Sequence, residues 1–455
     1  MMKLLMTLAL FVCLTPCFSQ EVIGKDREIV FKSVNVVPMD RESVLENKVV
    51  VVKNGKIQYI GDAKKAKYRK NAIVVDGQGR YLMPGLAEMH AHVPPNDDME
   101  AMKDVLLLFA ANGITTIRGM LGHPKHLELR SMVNSGQIVG PRFYTSGPSL
   151  SGSSAKTQDD AIRIVKEEKQ AGYDFLKIHP GLTKDVFDAM ARTAHAENIP
   201  FAGHVSFQVG VWKAIEARQQ TIDHLDAFVE GLVPNIKDVK EEDAGLFGMF
   251  IADRVDTTRI PSLMKALRNN NVWVVPTQAL AERWITPDVT AETFRNDPEM
   301  KYMDSKTLEN WTNVKTNLGN DPRYDPEKIR AYIKLRRKLI YECNRNGVGL
   351  LLGCDAPQIF NVPGMSTHHE LKYLVDAGLT PYEALKTGTL NVGAFYKKPT
   401  EMGVVRQGAN ADLVLLNANP LDNISNTTKI EGVLLGDKWM NRATLDEVLK
   451  KLEKD

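Results

Sequence analysis

Two histidines two residues apart, His90 and His92, close the apolar run Met83-Pro84-Gly85-Leu86-Ala87. In a strand successive side chains alternate faces, so the two imidazoles point the same way and can share one divalent metal. Alone, such a pair is equally two ordinary histidines at a strand end. Other short apolar runs also end in residues that can do chemistry: Lys177 and His179, again two apart, His204 after Gly203, His224 after Asp223, and Asp355 after Gly353-Cys354. Neutral imidazoles with a carboxylate suit Zn²⁺ or a similar borderline cation. An ammonium carries no lone pair and cannot ligate, but a lysine amine that has captured CO₂ is a carbamate and binds metal as a carboxylate does. Two metals about 3.5–4 Å apart need such a bridging anion and can activate one shared water. The plainer reading of Lys177 is a buried ammonium paired with Asp174, Asp355 or a neighbouring carboxylate.

These residues converge only if the elements between them bring the strand ends together. From Tyr81 the chain alternates short strands with amphipathic helices. Expected strands are Tyr81–Leu86, Ile114–Arg118, Arg142–Ser146, Phe175–His179, Phe201–His204, Thr221–His224, Val272–Pro276 and Gly349–Gly353. Strand–helix alternation of this kind predicts a parallel (β/α)₈ TIM barrel over residues 81–398, whose strand C-termini share one rim. An open doubly wound sheet lacks support, since no glycine-rich phosphate loop follows the first strand. Strands at both chain ends, including an Asn54-Gly55 hairpin, predict a small discontinuous β-sandwich from residues 20–80 and 399–455, with a final amphipathic helix. The polar segment Ala281–Asp325 follows the seventh strand and reads as a substrate-covering insertion or a structural decoration with helices of its own. His123, His126 and His195 read as surface or core residues. One of His368-His369 could face substrate, the alternative being a helix N-terminal turn.

At 455 residues the chain has ample material for a large core, and 43% hydrophobic and 25% charged residues describe an ordinary globular protein. A net charge of +2 favours no nucleic-acid partner, and the basic cluster Arg336-Arg337-Lys338 reads as a solvated helix face. Met1-Met2-Lys3 precedes an apolar stretch of about 15 residues, which fits a signal peptide over residues 1–19 better than a membrane span. The expectation is export to the periplasm or medium, with no stable membrane span after cleavage. Lipid anchoring through Cys13 or Cys17 fits less well, because Val12 and Pro16 precede them. Cys343 and Cys354 read as packed thiols rather than a bridge. Oligomeric state stays open, a homo-oligomer included.

The ordered set of motifs resembles the amidohydrolase superfamily, and within it the imidazolonepropionase-like and prolidase-like metal-dependent hydrolases. The likeness lies in Pro84-Gly85-Leu86-x-x-x-His90-x-His92, Gly113-Ile114-Thr115-Thr116-Ile117-Arg118, Tyr173-Asp174-Phe175-Leu176-Lys177-Ile178, Gly203-His204-Val205, Ile222-Asp223-His224-Leu225, Gly353-Cys354-Asp355-Ala356-Pro357 and Gly408–Leu415. The resemblance implies two divalent metals. His90, His92 and Asp355 would bind one, His204 and His224 the other, and carboxylated Lys177 would bridge them. It implies that a hydroxide between the metals attacks an amide carbonyl, with Asp355 taking the proton of the bridging water and passing it to the leaving amine. Glu88 stands where the family usually has aspartate, which bears on support of the ligands. His179 replaces a frequent aromatic residue and is a candidate contact for substrate or metal. Arg118 could hold a substrate carboxylate or form a salt bridge at the barrel bottom. The expected substrate is a small molecule or short peptide, such as a dipeptide or cyclic amide. A mononuclear deaminase is the alternative, against which Lys177 argues because one metal needs no bridge. A non-catalytic binding protein would be expected to lack ligands.

Overall fold

The computed structural model describes residues 28–454. The expected signal peptide, residues 1–19, lies outside them. β1 (Glu28–Val36) pairs antiparallel with β2 (Leu45–Lys53), which returns as β3 (Lys56–Gly61). The connecting Asn54 and Gly55 both have positive φ, 51° and 67°, the backbone that an Asn-Gly hairpin turn requires. β4 (Ile73–Asp76) and β5 (Tyr81–Pro84) run parallel to β1.

The next seven strands are β6 (Leu86–Ala91), β7 (Ile114–Gly119), β8 (Arg142–Thr145), β9 (Leu176–Ile178), β10 (Phe201–Gly203), β11 (Thr221–Asp223) and β12 (Trp273–Val275). They form two parallel sheets, β6-β7-β8 and β9-β10-β11-β12, with helices between successive strands. β13 (Asp412–Leu416), β14 (Ile430–Leu435) and β15 (Lys438–Asn441) then return to the first sheet, where β13 lies antiparallel to β5. Both chain ends therefore share one eight-stranded mixed sheet. Its apolar face, with Phe31, Val50, Leu413 and Leu415, forms a core separate from that of the parallel sheets.

Two expected strands differ in the structure. The run Tyr81–Leu86 divides: β5 belongs to the mixed sheet, while β6 starts at Leu86 and carries His90. Pro84-Gly85 is the junction, and Gly85 N–H donates to Asp412 O at 2.8 Å. The segment Gly349–Gly353 is an extended connection rather than a strand, held by a bridge from Val274 to Leu350 and by Met89 N–H donating to Leu352 O at 2.7 Å. The segment after β12 carries its own helices, Gln278–Trp284, Ala291–Arg295 and Ser305–Gly319. Phe294, Met300, Tyr302 and Trp311 of that segment pack with Phe360, five residues beyond Asp355. Among the described residues no helix is long and apolar enough to cross a membrane.

Candidate metal centre

The C-terminal ends of β6, β9, β10 and β11, together with the extended segment before Asp355, meet at one place. Ring centroids of His90 lie 5.4 Å from His92 and 4.5 Å from His224; His224 lies 4.4 Å from His204, and His204 5.0 Å from His179. Asp355 Oδ1 is 2.6 Å from His92 Nε2 and 3.4 Å from His90 Nε2. Ligand atoms of His90, His92 and Asp355 all fall within 4.8 Å of one another, the spacing of a metal site. Lys177 Nζ sits 3.4 Å from His90 Nε2 and forms no ion pair among the described residues. Asp174, its suggested partner, instead bonds Arg130 at 2.7 Å.

Three of the ligand candidates have a polar group behind the ring. His224 Nδ1 bonds Thr277 Oγ1 at 2.9 Å, and His204 Nδ1 bonds Asp226 Oδ2 at 2.6 Å. His90 Nδ1 lies 2.8 Å from Asp223 Oδ2, though off the direction of a hydrogen bond. The chain turns sharply here, with left-handed backbone at His224 (φ 63°), Leu225 (φ 58°) and Ala227 (φ 59°), a conformation that costs free energy at a residue with a side chain. That turn lets Asp223, His224 and Asp226 all face inward.

The donor set fits a metal. His224 Nε2 is buried and has no hydrogen-bond partner, while its other nitrogen is anchored. A buried imidazole nitrogen left unpaired costs free energy unless a cation takes its lone pair. Burial also keeps the rings neutral. Together with the Lys177 charge it lowers His204 to about 3 and His179 to about 2, and burial takes His90 and His224 well below the ordinary imidazole value. The Lys177 ammonium is lowered in the same way, chiefly by burial. Burial raises Asp226 to about 7.

Two sequence candidates are held by other groups of the protein. Arg118 is buried between the two parallel sheets, donating to Met89 O at 2.9 Å and Thr221 Oγ1 at 2.9 Å, with Asp223 Oδ1 at 3.7 Å. Its guanidinium is 1% exposed and lies beside Asp223, which also faces His90. His368 bonds Thr427 Oγ1 at 2.9 Å and Asn112 O at 3.0 Å, so both ring nitrogens tie its helix to the turn Ile424–Thr428 and to the end of the helix Met99–Ala111 instead of facing substrate. His179 remains at the rim, stacked on His204. His126 and His195 bond the carbonyls of Pro94 and Ala217, and Cys343 and Cys354 are free and buried.

Arg336 overturns the solvated-face reading of its cluster. It is 1% exposed and donates to His224 O at 2.8 Å, Pro276 O at 3.0 Å and Gln278 Oε1 at 3.0 Å, anchoring the backbone of a ligand. The signal was there: Arg336 shares a helical stripe with Tyr332, Leu339 and Cys343, at the spacing of a buried face. Phe247 stacks on His224 with centroids 5.4 Å apart, and no sequence pattern singles it out.

Residues 81–440 match the profile of the Amidohydrolase family. Ochratoxinase from Aspergillus niger is 23% identical over 420 residues, covering 86% of this chain and 81% of that one. Among solved structures, bottromycin amidohydrolase superposes with a TM-score of 0.70 at 20% identity, covering 94% of this chain and 90% of that one. A prolidase complexed with N-methylphosphonate-L-proline gives 0.66 at 19% identity, covering 91% of this chain and all of the other. The profile spans both parallel sheets and every residue of the cluster, and the chain accordingly belongs to the amidohydrolase family, hydrolases of carbon–nitrogen bonds.

Proposed function

We propose that the protein is an exported two-metal hydrolase that cleaves an amide bond in a dipeptide-like or cyclic-amide substrate. The observation that carries this reading is the convergence of His90, His92, His204, His224, Lys177 and Asp355, with His224 Nε2 buried and unpartnered. Lys177 supports two metals rather than one: among the described residues its buried amine forms no ion pair within 4 Å, and as a carbamate it would supply the bridge. Divalent metals, of which Zn²⁺ best suits the donors, would polarise the carbonyl and lower the pKa of water, with His90, His92 and Asp355 on one side and His204 and His224 on the other. Asp355 is the general base. Its carboxylate takes a proton from water as the oxygen adds to the amide carbon, and returns it to the nitrogen as the C–N bond breaks. His179, at the rim beside His204, is placed to touch substrate. The names of the relatives, an ochratoxinase, a bottromycin amidohydrolase and a prolidase, favour an amide over a deamination substrate.

The two parallel sheets are read as one (β/α)₈ barrel over about residues 81–398, joined through the Ser146–Phe175 and Val274–Leu350 bridges and the Met89–Leu352 hydrogen bond. The mixed sheet from both ends is the second domain. Export rests on the residue pattern of positions 1–19. The test is a hydrolysis screen of dipeptides, N-acyl amino acids and lactams with metal-loaded enzyme prepared in bicarbonate. Asp355→Asn should stay folded and lose nearly all turnover; an Asp355→Asn enzyme that hydrolyses at the wild-type rate would refute the assignment of the base.

A further inference from the structure

The strand bearing His90 and the segment bearing Asp355 lie side by side, yet their backbone ladder is open between them. Met89 N–H bonds Leu352 O at 2.7 Å and His92 N–H bonds Ala356 O at 2.9 Å, while the amides of His90 and Cys354, between those two points, reach no carbonyl across the gap. Both are taken by one carboxylate. Glu88 Oε1 accepts from His90 N at 3.0 Å and from Cys354 N at 2.9 Å; its Oε2 accepts from Cys354 Sγ at 3.1 Å and Thr367 Oγ1 at 2.9 Å. Glu88 is fully buried, and four donors converge on it. Opening the ladder frees His90 and Asp355 to turn inward, and Asp355 adopts left-handed backbone at φ 67°. Two buried amides without acceptors would make that opening unfavourable, and the carboxylate removes the penalty.

Two further observations point to the same place. Gly353 permits the close approach: a Cβ there would stand 2.9 Å from His90 N and 2.6 Å from Val275 Cγ1. Thr367 is itself held in a fixed position, since its helix neighbours bind other elements. Ser366 Oγ accepts from Val362 N at 2.8 Å, His368 bonds Asn112 O, and Glu370 accepts from Gln278 N at 2.9 Å.

We propose that Glu88, aimed by Thr367, is a positioning residue that sets the distance between the His90/His92 pair and Asp355, and through it the affinity of the metal those three residues hold. This rests on the metal-binding reading above. It assigns a purpose to the extra methylene of Glu88 over aspartate, which lets one carboxylate span from β6 to both Cys354 and Thr367.

The test measures metal affinity by chelator competition with Zn²⁺, independently of any substrate, on wild type, Glu88→Gln, Glu88→Asp and Thr367→Val, with folded fraction followed by circular dichroism. Glu88→Gln keeps the volume but presents an amide N–H₂ to donors, and should weaken the tighter-coupled metal about 10–100-fold, with kcat lowered and KM little changed. Thr367→Val leaves Glu88 in place without its guide and should give a smaller loss in the same direction. Glu88→Asp keeps the charge but is one methylene short, and should bind Zn²⁺ more weakly than wild type; wild-type affinity in Glu88→Asp would overturn the role given to the reach of Glu88. Folded Glu88→Gln and Thr367→Val proteins that bind Zn²⁺ as wild type does would overturn the proposal while leaving the two-metal reading intact. A wild type that binds no divalent metal would overturn the reading beneath it.

Discussion

Replacing Arg336 by methionine offers a demanding test of how the ligand strands are held. The guanidinium is 1% exposed and makes three hydrogen bonds of 2.8–3.0 Å, to His224 O, Pro276 O and Gln278 Oε1. Hydrogen bonds to a charged group contribute about 1.5–3 kcal/mol each, roughly 5–9 kcal/mol in all. Against this stands the desolvation of a buried cation, several kcal/mol. Breaking such an arrangement typically leaves a net loss of about 3–5 kcal/mol, a large part of a native stability of about 5–15 kcal/mol. Methionine fills much of the volume but leaves buried carbonyls without donors. Arg336→Met should therefore lower the denaturant midpoint strongly in urea titrations followed by circular dichroism, and should reduce metal content because the His224 turn loses its anchor. Arg336→Lys keeps the charge but not the planar fork, and should fall between the two. An Arg336→Met protein with the wild-type midpoint would refute the reasoning, as would lysine proving equivalent to arginine.

Three more outcomes follow from the structure. Gly353→Ala should cost about 1–3 kcal/mol through overpacking against Val275 and His90 and should depress activity, measured as denaturant midpoint and kcat; an undisturbed variant would show the two strands to be further apart than they stand here. His368→Ala removes two buried hydrogen bonds and should lower stability by about 1–3 kcal/mol while leaving KM unchanged in steady-state kinetics; a raised KM at unchanged stability would return His368 to the substrate site. Burial raises Glu168 from 4.5 to about 8, so the folded protein holds a proton that the unfolded chain releases. Its contribution to stability is present below pH about 4.5 and is lost as pH rises towards 8. Glu168→Gln should match wild type near pH 5 and exceed it above pH 8 in unfolding titrations; parallel pH profiles would contradict this.

The strand ends were legible because period-two alternation places histidines on one face and a parallel arrangement gathers C-termini on one rim. The register between strands was not. The apolar run Tyr81–Leu86 reads as one strand, and only the pairing of β5 with β13, more than 300 residues away in sequence, divides it. The groups that support the ligands were harder still. Asp226 and Glu88 act through side-chain bonds to elements remote in sequence, and a buried carboxylate has no periodic signature of its own. Arg336 is the exception: its place on an apolar stripe argued against solvent, while its basic neighbours suggested otherwise. His368 shows the converse error, since a histidine pair near a metal-facing loop is as readily a bridge to a second domain.

On the proposed function, six residues from across the chain form a two-metal site bridged by Lys177. Metal content per folded chain, determined by plasma mass spectrometry after reconstitution with Zn²⁺ and bicarbonate and exhaustive dialysis, tests it most directly. Two metals per chain are expected in wild type and fewer than two in Lys177→Ala. One metal per chain in both proteins would contradict it, leaving Lys177 as a buried amine and not a bridge.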